Sequence, residues 1–206
     1  SRRETLPFRA LLRRNDDEAW EEAMAVVDCS GTYAPETAQR SGSGGLAAPG
    51  EARAAALGLV SRVIPSPGSF QGKRVAVLGG GFSAITTIRK LADEGVETVW
   101  LVRKSTSEAP YQRVDQDPLP PRGALAAYGN GLASLGTSGS LKCVRGARIQ
   151  RIDVVQNALK LNLTNETGVE ADHPVSLTGY RPTADLTRVA HVPPSSASHV
   201  PLKPRT

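Results

Sequence analysis

The residues best placed to do chemistry are three small ones, Gly79, Gly81 and Ala84, within the stretch KRVAVLGGGFSA. Their Gly-x-Gly-x-x-Ala spacing follows an apolar run and precedes a segment with helical period, the context in which such a pattern holds a dinucleotide diphosphate. Gly79 permits a tight turn, Gly81 lets a phosphate come close to the backbone, and Ala84 is small enough for the helix to pack on the strand. The first amides of that helix, those of Phe82 and Ser83, have no carbonyl four residues back and can face an anion, with the Ser83 hydroxyl beside them. A glycine triplet can also be a plain flexible turn. The agreement of strand, turn, helix and following strand favours the phosphate reading.

Arg103 and Lys104 stand 24 and 25 positions after Gly79, where an NAD site usually offers an acidic residue to the ribose hydroxyls. Basic groups there suit a 2′-phosphate. Arg103 can grip it with a planar fork, Lys104 adds a point charge, and Arg113 can close from the following loop. The expected cofactor is NADPH rather than NADH, the plain alternative being a solvated Arg-Lys pair at a strand end.

No side chain reads as a catalytic acid or base, and none as a metal ligand. His173, His191 and His199 fall in an expected loop and tail. Cys29 and Cys143 have no second cysteine two or three positions away, so neither a zinc site nor a redox dithiol is spelled out. Tyr111, Tyr128 and Tyr180 have no Lys four residues later, which removes short-chain reductase chemistry.

These residues need elements to position them. Residues 73–79 form a short apolar strand, residues 83–94 a helix with Ile85, Ile88, Leu91 and Ala92 on one face, and residues 96–102 a second buried strand. Gly95 stops the helix. Strand, helix and strand make one right-handed parallel crossover unit. Further on, residues 123–135 predict a helix weakened by Gly129 and Gly131, and residues 141–144, 147–154 and 159–163 predict short strands. At the start, residues 7–14 and 23–29 read as two strands about a polar NDDE turn, the second largely buried, with Trp20 in the connection. Residues 30–72 are rich in Gly, Ser, Pro and Ala and predict a long connection with one helical turn near residues 54–57.

The whole chain, 206 residues with 25 Lys and Arg against 20 Asp and Glu, is long enough to bury a real core. Its excess positive charge suits anionic ligands. The arginines are scattered and aromatics make up only 4%, which argues against a nucleic-acid partner. No apolar run approaches the ~20 residues that span a bilayer. With two isolated cysteines, a reduced, cytoplasmic setting is expected, and Ser1 in place of a starting Met is expected of a fragment or a processed chain.

The segments YAPETAQRSGSGGLAAPGE, IPSPGSFQGKRVAVLGGGFSAITTIRKL, VWLVRKS and LTGYRPTADL together resemble an FAD-dependent pyridine nucleotide oxidoreductase, in particular the flavin monooxygenase-like and thioredoxin reductase-like branch. The resemblance runs over residues 7–186 and ends there. It implies an α/β fold: a Rossmann-like NAD(P)-binding domain with a parallel sheet and a small β-meander, plus remnants of an FAD domain. The chain then divides into FAD-domain strands at 1–33, a linker at 34–72, the NAD(P)H domain at 73–176, a return crossing at 177–186 and a disordered tail at 187–206. Ser30 and Gly31 fall where the first crossing between domains would lie, and Thr178 and Gly179 where the second would, which by resemblance sets them near FAD; each is also an ordinary turn sequence. The implied function is hydride transfer from NADPH to FAD on behalf of an unknown small-molecule substrate, by a monooxygenase-like protein or a reductase. The FAD-binding glycine motif and the C-terminal FAD segment are missing. The alternative is therefore a non-catalytic nucleotide-binding fragment without bound flavin, and this chain alone is expected to be inactive.

Overall fold

A computed structural model describes residues 6–27, 29, 31–32, 38–66, 68–112, 119–156 and 158–181. The chain divides into two compact units, one made of Ser1–Thr32 with Pro182–Thr206 and the other of Tyr33–Arg181.

In the first unit, β1 (Phe8–Arg14) and β2 (Asp17–Ala23) form an antiparallel hairpin in which Arg14 faces Asp17. This differs from the expected second strand at 23–29. Asn15 takes the left-handed conformation, with φ of 58°, so Asn15 and Asp16 alone close the turn. Once the turn is that short, Arg9 falls opposite Glu22, Leu11 opposite Trp20, and Arg13 opposite Glu18. Trp20 thus lies inside β2, under the Arg9 guanidinium 5.0 Å from its ring centroid. The apolar residues after it, Met24, Val26 and Val27, are exposed rather than buried.

The second unit is built on a five-stranded sheet. Its strands are β3 (Arg74–Leu78), β4 (Glu97–Val102), β5 (Thr137–Ser138), β6 (Leu141–Arg145) and β10 (His173–Ser176), in the spatial order β10-β3-β4-β6-β5. All pairings are parallel except that of β5 with β6. Helix α2 (Phe82–Asp93) makes the expected crossover between β3 and β4, and α3 (Pro120–Leu135) leads into the β5–β6 edge. α3 starts three residues before the expected Gly123, because the ring of Pro120 suits a first helical position whose amide has no partner anyway. A meander of β7 (Ile149–Val155), β8 (Ala158–Leu163) and β9 (Gly168–Ala171) forms a separate antiparallel sheet. The structure is the expected Rossmann-like α/β fold with a small β-meander.

Period-two alternation divides the core between the two faces of the main sheet. Val75, Val77, Trp100 and Val102 pack with Ile85, Ile88 and Leu91 of α2 and Ala126 and Ala133 of α3. Ala76, Leu78 and Leu101 face the other way, against Ile152, Leu159, Leu161 and Leu163 of the meander and Ala54 of α1 (Glu51–Ala56). Each fully buried Leu or Ile contributes roughly 1.5–3 kcal/mol.

Residues 38–66, read from sequence as connection, pack along this unit. Ser61 pairs in parallel with Val175. Buried Glu51 accepts the amides of Ser41 and Ala48, both at 3.0 Å, and meets Arg62 Nη2 at 3.3 Å. His173, expected in a loop, begins β10 instead. It is half-buried, with Nε2 2.8 Å from Ser61 Oγ and its ring 4.8 Å from that of Phe70. Among the described residues, no helix is long and apolar enough to cross a membrane. The expected tail at 187–206 lies outside the described residues.

Candidate nucleotide-binding site

β3 ends at Leu78 and the glycine turn begins where β10, its neighbour, also ends. The Leu177 amide donates to Leu78 O at 2.8 Å and the Gly79 amide to Leu101 O at 3.1 Å. The turn thus lies at the carboxyl ends of the neighbouring parallel strands β3 and β10, the end of the sheet at which open α/β folds take ligands.

Gly79 has φ of 133°, and a Cβ there would lie 2.3 Å from Leu177 O. Both the backbone conformation and the approach of β10 demand glycine. Gly81 is different. Its φ of −93° is open to any residue, and a Cβ would meet nothing within 4 Å, so what glycine supplies there is a bare, exposed backbone face. Phe82 and Ser83 open α2 with exposed side chains, while Ala84 is fully buried. These features fit a diphosphate. The cradle is shaped, its Gly81 face is open, and the helix amides that end on it carry partial positive charge.

Two buried aromatic side chains reach the turn from beneath. Trp100 Nε1 donates to Gly79 O at 2.8 Å, and the Tyr111 hydroxyl donates to Gly81 O at 3.1 Å. The two rings stack with centroids 6.2 Å apart. Tyr111 is further fixed by Asn130 of α3, whose side-chain amide accepts from Tyr111 N and donates to Tyr111 O, each at 3.0 Å. Gly129, which looked like a helix defect, leaves room for this ring: a Cβ there would lie 2.4 Å from Tyr111 Cε2. Burial raises the Tyr111 pKa above its ordinary value of 10.0, keeping the hydroxyl a donor.

Arg103 and Lys104 follow β4 on an exposed loop. Arg103 makes no ion pair or hydrogen bond with any described residue. Lys104 Nζ donates to Ala109 O at 3.2 Å, which leaves two of its three donors. Arg145, at the end of β6, binds this loop: its guanidinium donates to the carbonyls of Lys104, Ser105 and Glu108. Arg113 and Ser30 lie outside the described residues. Gly31 belongs to the first unit, whereas Thr178 and Gly179 belong to the second. The segment beside Thr178 and Gly179 is 38–41: the Gln39 amide donates to Gly179 O at 2.9 Å and Thr178 Oγ1 to Gln39 O at 3.0 Å.

Sequence reasoning passed over Trp100, Asn130 and Arg145, and took Tyr111 up only to reject it as a catalyst. A signal existed for the first, since an indole N–H inside an apolar strand must find an acceptor. Cys143 is half-buried, and burial pushes its thiol up to about 11, so it stays protonated and unreactive.

A family of known proteins matches residues 46–202, the pyridine nucleotide-disulphide oxidoreductases. The chain belongs to this family. The match runs past Leu186, where the resemblance was expected to end. Membership of this family implies FAD and a nicotinamide cofactor. No curated protein matches the sequence. Among solved structures, the chain is similar to a bacillithiol disulfide reductase from Bacillus cereus, with a TM-score of 0.68 and 17% identity over 97% of this chain and 54% of that one. It is also similar to a pyridine nucleotide-disulfide family oxidoreductase from Enterococcus faecalis V583, at 0.61 and 11% over 97% and 41%, and to an NAD-dependent persulfide reductase from A. fulgidus, at 0.54 and 17% over 89% and 31%. These likenesses establish a shared fold. The chain spans about half the length of the Bacillus cereus protein.

Proposed function

We propose that this chain is the NADPH-holding portion of an FAD-dependent oxidoreductase, serving hydride transfer from NADPH to FAD. The observation that carries this reading is the glycine turn, with Gly79 pressed against Leu177 and Gly81 open, at the carboxyl ends of β3 and β10. The diphosphate would rest on Gly81 and the amides of Phe82 and Ser83, and the 2′-phosphate on Arg103 and Lys104, with Arg113 as a third contact. The bound pair of cofactors supplies the redox chemistry, and the protein supplies position.

On the same reading, residues 73–176 form the NAD(P)H domain, 34–72 link it to FAD-domain strands at 1–33, and 177–186 carry the chain back. Ser30, Gly31, Thr178 and Gly179 would lie near FAD. The setting would be cytoplasmic and the substrate a small molecule, taken by monooxygenase-like or reductase chemistry.

Replacing Arg103 and Lys104 together by Ala tests the cofactor choice by titration with both nucleotides. Two charge-assisted contacts are worth roughly 1.5–3 kcal/mol each, so NADPH affinity should fall at least tenfold while NADH affinity stays within about twofold. Equal losses for both would end the 2′-phosphate assignment.

A second reading is a nucleotide-binding portion that holds no flavin and does not turn over. Flavin absorbance near ~450 nm in the purified chain, together with NADPH oxidation, would refute that second reading.

A further inference from the structure

We propose that Trp100 and Tyr111 are positioning residues of the diphosphate cradle, which they orient by holding the Gly79 and Gly81 carbonyls inward. The inference rests on the nucleotide reading above and adds to it the groups that set the cradle's polarity.

A glycine-rich turn is free to rotate its peptide planes, and a rotated plane would present a carbonyl oxygen to the incoming anion in place of an amide. Here every peptide is trans, so each amide hydrogen points opposite to the carbonyl of the preceding residue. The indole N–H of Trp100 holds Gly79 O at 2.8 Å, which turns the Gly80 amide away from the core. Gly81 O already accepts the Ala84 amide at 3.1 Å and the Ile85 amide at 3.3 Å, and the hydroxyl of Tyr111 adds a third donor at 3.1 Å on the same oxygen, which keeps the Phe82 amide turned outward. Both donors are rigid. Trp100 is fully buried within β4, and Tyr111 is buried, stacked on Trp100, seated against Gly129 and clasped by Asn130. The two held planes therefore turn the amides of Gly80 and Phe82, both exposed residues, away from the core. A cradle fixed in advance spends no binding energy on reorienting its dipoles.

Tyr111 also joins two functions. It closes the loop that carries Arg103 and Lys104, so one side chain ties the 2′-phosphate loop to the diphosphate turn. The two roles separate by ligand. NADPH and NADH share the diphosphate, while adenosine 2′-monophosphate carries only the 2′-phosphate.

The test is calorimetric titration of the full chain and of Tyr111→Phe and Trp100→Phe with NADPH, NADH and adenosine 2′-monophosphate, alongside thermal unfolding. Tyr111→Phe keeps the ring and its packing and removes one donor. The expected result is a loss of about three- to tenfold for NADPH and NADH alike, an unchanged preference between them, and unaltered binding of adenosine 2′-monophosphate. Trp100→Phe should repeat the pattern. Wild-type binding of NADPH with no change in either variant overturns this inference and leaves the proposed function standing. A fall for all three ligands together with the melting temperature overturns it in favour of a merely structural role. Wild-type chain that binds neither dinucleotide overturns the proposed function itself, and the inference with it.

Discussion

Gly79 and Gly81 occupy one motif and answer to different physics. At Gly79 a side chain would need a backbone conformation that L-residues rarely adopt, and its Cβ would lie 2.3 Å from the carbonyl of Leu177, which is backbone and cannot swing aside. Strain of roughly 1–3 kcal/mol from the dihedral alone adds to the cost of prising β10 from β3. Gly79→Ala should therefore lower stability by at least ~3 kcal/mol, read as the urea midpoint. Gly81→Ala puts its methyl into open space at an ordinary φ of −93°, so the midpoint should barely move. The same methyl stands where the diphosphate must approach, and nucleotide affinity should fall at least tenfold. If Gly81→Ala unfolds the chain, or binds NADPH as the wild type does, the division of labour between the two glycines is wrong.

Among the elements, α1 shows how a short helix can hold a long segment in place. Its first residue, Glu51, is fully buried, and its carboxylate takes two amides and one guanidinium. Removing that carboxylate leaves Arg62, whose Nε is already buried without a partner, facing no charge. Breaking a buried pair from one side costs about 3–5 kcal/mol. Glu51→Ala should fall at the lower end of that range, because the Arg62 side chain is 20% exposed and can reach water. An unchanged urea midpoint would show that residues 38–48 are held by something else. The strands and helix around the glycine turn were legible because their apolar positions repeat at two and at about 3.6 residues. Of α1 only a helical turn near residues 54–57 was legible, and its start at Glu51 was not, since EARAAA shows no amphipathic period and the partners of Glu51 lie up to 11 residues away. Nor was β10, a four-residue strand containing Pro174, whose place beside β3 is set by tertiary pairing across a hundred residues. The hairpin was misread because the apolar run at 23–27 outweighed the left-handed turn at Asn15.

On the scale of the whole molecule, stability should depend on pH through β10 and its approach. Burial holds His173 below its ordinary 6.5, with Lys73 adding to the effect, so the unfolded chain binds more protons than the folded one as pH falls through 6.5. Stability gained from keeping His173 neutral is complete above that value and lost below it. Asp172 is held below its ordinary 3.8, first by the Arg74 amide at 2.7 Å, and its contribution disappears as pH falls through the carboxylate range. The melting temperature should be level above about pH 7, decline below 6.5 and decline again near 4; His173→Gln should remove the first decline only. A second expectation concerns which part of the chain carries the fold. Both hydrophobic cores draw all their buried residues from positions 48–177, within the Tyr33–Arg181 unit. The β1–β2 hairpin contributes none. Its pairing rests on exposed contacts such as Arg9 with Glu22, 3.8 Å apart and more than 60% exposed on both sides, worth about 0–1 kcal/mol, and an isolated two-stranded hairpin is marginal in water. A chain of residues 33–181 keeps β3, the glycine turn, Trp100, Tyr111 and β10, and with them every residue of the proposed NADPH site. It should melt within about 5 °C of the full chain, equivalent to no more than ~2 kcal/mol, and bind NADPH with the same affinity. Loss of cooperative unfolding on truncation would mean that the hairpin unit supplies stability its exposed contacts do not account for; retained unfolding with lost NADPH affinity would place part of the nucleotide site outside the sheet unit.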